Sequence, residues 1–353
     1  MTTPSTPIRV AIIAATGYGG VELLRWLTSH PAVEIVAVAS SDASVGKSIA
    51  EIYPHLSGLN LTLLPAAEAR FTGDPQVVFF ATPNGQAMLL APEILARGAA
   101  VIDLSADFRL QDVAVWEKFY KMEHAAPHLL PQAVYGLPEL YRAQVRRARL
   151  LANPGCFPTS SLLALVPLLR AGLIEPKSII VDSKSGVSGA GRNALKTPYL
   201  YAEANEDVCA YNIGTHRHTP EMEQELSLAG AGEACITFTP HLVPLTRGIF
   251  TVTYSTLTRS CTTADLLDVY REIYQGSPFV KVLDAETLPH TKWCYGSNRA
   301  FVTARVDART GRALTFSAID NLGKGMSGQA VQNMNLMFGL PESLGLESPA
   351  VYP

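Results

Sequence analysis

Apolar positions follow two rhythms along the chain. Residues 8–14 form an unbroken apolar run of the kind seen in a strand buried on both faces. Residues 21–27 place Leu23, Leu24 and Leu27 at helical spacing, and 33–39 form a second apolar run, so the first forty residues predict a strand-helix-strand unit. Residues 76–81, 86–97 and 100–104 repeat that order, which predicts a parallel, doubly wound sheet. Beyond Cys156 the rhythm changes. Residues 178–182, 235–239, 249–257, 301–306 and 313–319 read as strands, the last two as a hairpin around 307–311. One clear helix, 263–274, lies among them, so this half reads as α+β with a mixed or antiparallel sheet. Residues 326–338, apolar at helical spacing, close the pattern.

A chain of 353 residues exceeds what one core readily organises, which fits two domains. With 48% apolar residues, 17% charged residues and a net charge of -3, it offers no basic footprint for nucleic acid or an anionic membrane. The short basic run Arg142, Arg146, Arg147 and Arg149 reads as a solvated helix face. The five cysteines are odd in number and contain no C-x-x-C pair, which argues against a disulfide framework or zinc knuckle and for a reducing compartment. The opening apolar run ends in a glycine turn, so it reads as a strand rather than a signal peptide. No apolar stretch has membrane-spanning length. A cytoplasmic protein is expected.

Thr16, Gly17, Tyr18, Gly19 and Gly20 lie between the first strand and the first helix, where glycines let a backbone approach a pyrophosphate. The spacing is the looser G-x-x-G-x-x-G, with Ala14 in the first glycine place. The second strand ends in Ser40 and Ser41, with Asp42 next and Lys47 nearby. Serines at that tip favour a 2′-phosphate and hence NADP(H), while turn chemistry is the plain alternative. Thr82 and Pro83, past the third strand, are further coenzyme candidates.

Cys156 stands in Asn-Pro-Gly-Cys-Phe-Pro-Thr ahead of a long apolar run, which predicts a thiol at a helix N-terminus. Unpaired N–H groups and the helix dipole favour the thiolate there, the nucleophilic form. The other four cysteines read as structural. His216 and His218, just before a helix start at Pro220, supply a proton manager; His218 is favoured as acid/base over His216. A metal pair lacks a third ligand nearby, so no metal is expected. The glycine-rich segment 184–192, with Ser185, Ser188, Gly189 and Arg192, reads as an anion site or a flexible hairpin. Arg109, just after a parallel strand, and Arg247 are further anion candidates, with ordinary ion pairing as the alternative.

These motifs together resemble the N-acetyl-gamma-glutamyl-phosphate reductase family. The resemblance rests on Asn153–Thr159, the 185–192 loop, 216–221 (His-Arg-His-Thr-Pro-Glu), 239–244, 320–325, 328–335, 104–109 and 134–139, nearly the whole chain. It implies NADPH-dependent reduction of an acyl phosphate in arginine biosynthesis through a Cys156 thioester. It also implies a homodimer or homotetramer. The architecture implied is a Rossmann domain, 1–155, completed by the C-terminal helix 325–353, and a catalytic and oligomerisation domain, 156–324, like that of aspartate-semialdehyde dehydrogenase. It places Ser188, Gly189, Asn321, Lys324 and Gly325 near the coenzyme, and the Ser188–Arg192 loop in the substrate site. The family's turn usually has glycine where Ala14 stands. An aspartate-semialdehyde dehydrogenase, a carrier-linked acyl-phosphate reductase and a non-catalytic NADP-binding protein are the competing readings.

Overall fold

A computed structural model describes residues 6–40, 42–194, 196–230 and 232–353; Ser41, one of the coenzyme candidates, lies outside the described residues. The chain divides into two compact units, Met1–Pro154 with Met326–Glu347, and Gly155–Gly325 with Ser348–Pro353. The last six residues thus group with the second unit, whereas the sequence reading put them with the first.

The first unit holds a parallel sheet of seven strands among its described residues: β1 Ile8–Ile13, β2 Val33–Ala39, β3 Leu63–Leu64, β4 Val77–Phe80, β5 Ala100–Asp103, β6 Val134–Tyr135 and β7 Leu150–Ala152. Their order is β3-β2-β1-β4-β5-β7-β6, which reverses direction between β1 and β4. Crevices for ligands open at such a reversal, beyond the carboxyl ends of the strands. Val10, Ala11, Ile12, Val77–Phe80 and Ile102 are wholly buried, which explains why these strands read as continuous apolar runs.

Polar groups fix the carboxyl ends. Asp107 accepts from Gly85 N (2.7 Å) and Met88 N (3.1 Å) at the start of the helix Ala87–Ala96. Arg109 is buried and donates to Asn153 O (2.8 Å) and Leu104 O (2.9 Å). This guanidinium clasps the exits of β5 and β7. The closing helix, Gly328–Met337, follows a wider turn at Gly323–Ser327. Its buried face is rich in amides. Gln329 donates to Gly136 O, Asn333 to Gly136 O and Asn153 Oδ1, and Gln332 to Glu139. Leaving such a buried amide nitrogen unpaired would cost roughly 1–3 kcal/mol, so these donor bonds help specify the helix beside its apolar spacing.

The second unit holds a mixed sheet: β8 Ile180–Ser185, β9 Cys209–Ala210, β10 Thr237–Leu242, β11 Ile249–Thr256, β12 Val280–Val282, β13 Ala300–Asp307 and β14 Arg312–Ile319, in the order β12-β13-β14-β11-β8-β10-β9. The β13–β14 pair is the antiparallel hairpin expected from the sequence. Helices Cys156–Arg170, Thr219–Ala229 and Thr263–Ile273 belong to this unit, at the starts the sequence pattern placed at Cys156 and Pro220 and in the run read at 263–274. The Cys156 helix lies on the sheet. Ser160 Oγ lies within hydrogen-bond distance of Thr251 Oγ1 (2.8 Å) and Ser317 Oγ (3.1 Å), and Ser183 shares Thr251 (2.8 Å).

Two strained or costly positions generate predictions. Ala14 sits at φ 65°, a left-handed conformation that costs an alanine about 1–2 kcal/mol relative to glycine. Ala14→Gly is therefore expected to raise the melting temperature; a lower value would contradict the strain. Asp103 is wholly buried, and burial, then the Asp107 carboxylate, push its carboxyl up to about 7, against the opposing effects of Ser105 and Arg109. Between roughly pH 4 and 7 the folded chain holds a proton that the unfolded chain has released, so this group's contribution to stability falls as pH rises. Urea midpoints across that window should decline less steeply in Asp103→Asn; an unchanged slope would contradict the assignment.

Candidate active site

β7 delivers the chain through Asn153 and Pro154 to Gly155, which begins the Cys156 helix at φ -66°, ψ 153° with no side chain to cap it. The thiol occupies the first helical position and is half-buried. The first intrahelical bond runs from Thr159 N to Gly155 O (2.9 Å), so the N–H groups of Cys156 and Phe157 have no carbonyl partner within the helix. Gly325 lies against the thiol-bearing carbon; a Cβ there would stand 2.9 Å from Cys156 Cβ. Only glycine leaves that room. Buried Asp320 shapes the approach to Gly325, since its carboxylate accepts from Leu322 N, Gly323 N and Gly296 N, and its carbonyl from Gly325 N.

The histidines stand beside the same helix start. Phe157, the residue after the thiol, packs edge-on against His216 (5.5 Å between ring centroids) and His218 (6.0 Å). The two imidazoles are 4.8 Å apart. Nδ1 of His216 accepts the backbone N–H of His218 (3.1 Å). Burial, then the Arg217 charge, lower His216 to about 4. A neutral His216 whose Nδ1 accepts must carry its proton on Nε2, so at neutral pH it is a hydrogen-bond donor and a poor base. That leaves His218 as the imidazole free of this constraint. The sequence reading missed Tyr211, whose ring lies 5.6 Å from His216. Burial, then the negative charge of Cys156, raise its phenol, which keeps it protonated as a donor close to the thiol. An aromatic residue in an exposed-looking segment gave no signal of this.

The glycine-rich segment departs from expectation. Lys184 and Ser185 belong to β8, and the turn starts at Gly186. The N–H groups of Gly186, Val187 and Ser188 bond to the carbonyls of Gly248, Leu245 and Thr246. They are engaged within the fold and do not form the open anion nest the sequence suggested. Side chains take over at its rim. Asn321 donates to Ser188 Oγ (2.9 Å) and accepts from Gly248 N (2.7 Å), with Gly189 alongside, while Arg192 sits exposed on the next turn. Arg247 pairs with Asp320 through Nε (2.9 Å), so ion pairing accounts for much of its charge. Lys324 is wholly buried, its ammonium over the face of Phe279, which corrects its expected role as a coenzyme contact.

The first unit carries the rest of the coenzyme candidates. Gly17 begins the helix Tyr18–Thr28, and a Cβ on Gly20 would overlap Ala14 O and the Ala15 backbone, so the close strand-to-helix approach requires glycine. Ser327 Oγ donates to Gly19 O. Thr16 and Ser40 hydroxyls lie 3.2 Å apart, and Tyr53 OH donates to Thr16 O (2.8 Å), linking the turn to the tip of β2. Tyr18 and Pro83 are exposed. The hydroxyl of Thr82, just past β4, is buried without a hydrogen-bond partner among the described residues. A dinucleotide's polar edge would satisfy it. These residues fit a nicotinamide dinucleotide on the helix N-terminus. Ser188, Gly189, Asn321 and Gly325 belong to the second unit.

Residues 9–148 match the family described as semialdehyde dehydrogenase, NAD binding domain, and residues 156–321 the semialdehyde dehydrogenase, dimerisation domain. The chain is 50% identical over 347 residues to an N-acetyl-gamma-glutamyl-phosphate reductase of Pelotomaculum thermopropionicum, covering 98% of this chain and 99% of that protein. It is 52% identical over 348 residues to the enzyme of that name from Geobacter sulfurreducens, covering 98% and 100%. Among solved structures it resembles aspartate semialdehyde dehydrogenase II from Vibrio cholerae, with a TM-score of 0.74 at 18% identity over 95% and 99% of the two chains. The Candida albicans aspartate semialdehyde dehydrogenase with NADP gives 0.70 at 14% identity over 94% and 99%. At that identity the structures share the fold: a Rossmann-type sheet in one unit and a mixed-sheet α+β domain in the other.

The buried, Nδ1-accepting imidazole of His216 predicts a low titration for that residue. His216 ring resonances should move only as pH falls toward about 4; a midpoint near the usual histidine value would contradict the Nδ1-acceptor arrangement.

Proposed function

The chain belongs to the N-acetyl-gamma-glutamyl-phosphate reductase family, and from that premise we propose that it reduces N-acetyl-L-glutamyl 5-phosphate to the 5-semialdehyde with NADPH, releasing phosphate, in arginine biosynthesis. The observation that carries this reading is the thiol of Cys156 at a helix N-terminus, against Gly325 and beside the two histidines.

The residues divide the chemistry. Cys156 thiolate attacks the acyl carbon, a C–S bond forms, and the C–O bond to phosphate breaks with its electron pair on the leaving phosphate. First-turn N–H groups of the helix stabilise the oxyanion that develops meanwhile. Thr16, Gly17, Gly19 and Gly20 would hold a dihydronicotinamide dinucleotide, which would supply the hydride that reduces the thioester. His218 gives a proton to the hemithioacetal oxygen and takes it back as the carbonyl reforms and Cys156 departs as thiolate, so no net proton is consumed in that collapse. His216, with Nε2–H, and Tyr211, held as a phenol, are donors that orient substrate. A serine in place of Cys156 would be both a weaker nucleophile and a poorer leaving group.

Substrate side chains on the second unit come from Ser185, Ser188, Gly189 and Asn321, with Arg192 and Arg247 as charges at the rim. Preference for NADPH over NADH is supported by Ser40 at the tip of β2, buried beside Thr16. A homodimer or homotetramer is part of the reading. The second unit matches a dimerisation family, and the sheet face turned away from the Cys156 helix carries half-buried Phe250, Tyr254, Leu314 and Phe316. A cytoplasmic setting accords with five free thiols. No described helix is long and apolar enough to cross a membrane.

Phosphate-dependent reduction of NADP with N-acetylglutamate semialdehyde, run beside aspartate semialdehyde, tests substrate and coenzyme together. Activity with the acetylated substrate is expected, and a preference for aspartate semialdehyde would overturn the assignment. Cys156→Ser should bind NADPH normally yet lose turnover by several orders of magnitude; retained turnover would refute the thioester route.

A further inference from the structure

We propose that Glu221 is a positioning residue for Cys156: its carboxylate clamps the Gly155 N–H and so sets the direction of the thiol and of the first-turn N–H groups. Glu221 is 1% exposed, and its Oε1 accepts from Gly155 N at 2.8 Å. Gly155 is the residue from which the Cys156 helix springs, and it has no side chain of its own to fix the turn. The carboxylate arrives from the first turn of the neighbouring helix, Thr219–Ala229, which His218 opens.

An acidic residue at that position would ordinarily face the N-terminus of its own helix, a contribution to helix stability and nothing more. Here the carboxylate reaches across to a second helix start, so the positive ends of two helices converge on one buried charge. A carboxylate removed from water is tolerated only with such partners, and a charge-assisted hydrogen bond is about twice as strong as a neutral one. The consequence is geometric. The segment that carries His216 and His218 is tied through Glu221 to the residue preceding the thiol, so the imidazoles and the sulfur keep one register. Pro154 and Gly155 would otherwise leave that junction governed by a proline and a glycine alone. The negative charge also opposes ionisation of a neighbouring thiol. It is therefore placed for geometry at some expense to the thiolate.

The inference rests on the reading of Cys156 as nucleophile, and its test separates the two. The pH profile of Cys156 alkylation by iodoacetamide, localised by peptide mass spectrometry, reports on the thiol whether or not it is catalytic. Failure of Cys156→Ser to lose turnover would sink the nucleophile reading and leave the alkylation result standing. Glu221→Gln keeps an acceptor and removes the charge. It should hold kcat within about fivefold of the parent while the alkylation midpoint moves to lower pH. Glu221→Ala removes the acceptor and should lower kcat by roughly tenfold to a hundredfold, the range expected for a lost charge-assisted hydrogen bond, with NADPH affinity unchanged. Should the alanine variant fail to fold, Glu221→Asp withdraws the carboxylate by one methylene and is expected to slow kcat and shift the alkylation midpoint. An alkylation profile and kcat identical to the parent in the alanine or aspartate variant would overturn the proposal. So would a glutamine variant as impaired as the alanine one, because charge and not the clamp would then be the agent.

Discussion

The backbone N–H groups at the start of the Cys156 helix are the constraint around which the second unit is arranged. They lack carbonyl partners within the helix, and nothing in the first turn supplies a side-chain cap. Left in water they would be ordinary; beside a half-buried sulfur they contribute a local positive field that favours a thiolate. The neighbours keep that field open. Gly155 brings no side chain, Gly325 brings no Cβ against the thiol, and Phe157 turns its ring to the histidines. A side chain at 325 would crowd the thiol-bearing carbon.

Holding such a site still is the task of buried polar pairs. In the second unit, hydroxyls join the Cys156 helix to its sheet: Ser160 to Thr251 and Ser317, and Thr251 to Ser183. Tyr270 and Tyr274 add bonds from the Thr263–Ile273 helix region to Ala164 O and Leu163 O of the same helix. In the first unit, Arg109, Asn333 and Met326 O all grip Asn153, two residues before Gly155. Each contact is modest by itself. Leaving any one unmatched costs roughly 1–3 kcal/mol, which makes the registered arrangement far cheaper than its neighbours.

Most of this architecture was legible because its strands are long and apolar. Residues 33–39, 249–257 and 313–319 read as strands and are strands, with ends shifted by no more than one residue. Strands of two or three residues such as Leu63–Leu64, Val134–Tyr135 and Cys209–Ala210 are too short for any period to show. β8 starts two residues later than read and runs on through Lys184 and Ser185, because its polar side chains alternate with Val181 and Ser183 on the buried face and hide the run. The placement of Cys156 at a helix start was visible in Asn-Pro-Gly-Cys. What sequence spacing could not reveal was which N–H groups are already engaged. That is why the 186–188 turn suggested an anion nest. The roles of Tyr211 and Glu221 were hidden for the same reason: each lies more than fifty residues from Cys156 along the chain and meets the site only through tertiary packing.

The central claim is that the acyl group rests on one sulfur between phosphate release and reduction. Mixing the enzyme with N-acetylglutamyl phosphate in the absence of NADPH, quenching in acid and mapping the peptides by mass spectrometry tests it directly. The account predicts close to one N-acetylglutamyl group per chain, on the Cys156 peptide, discharged when NADPH is added before the quench. An enzyme that turns over normally yet carries no acyl group on that peptide, or carries it on another cysteine, would contradict the account.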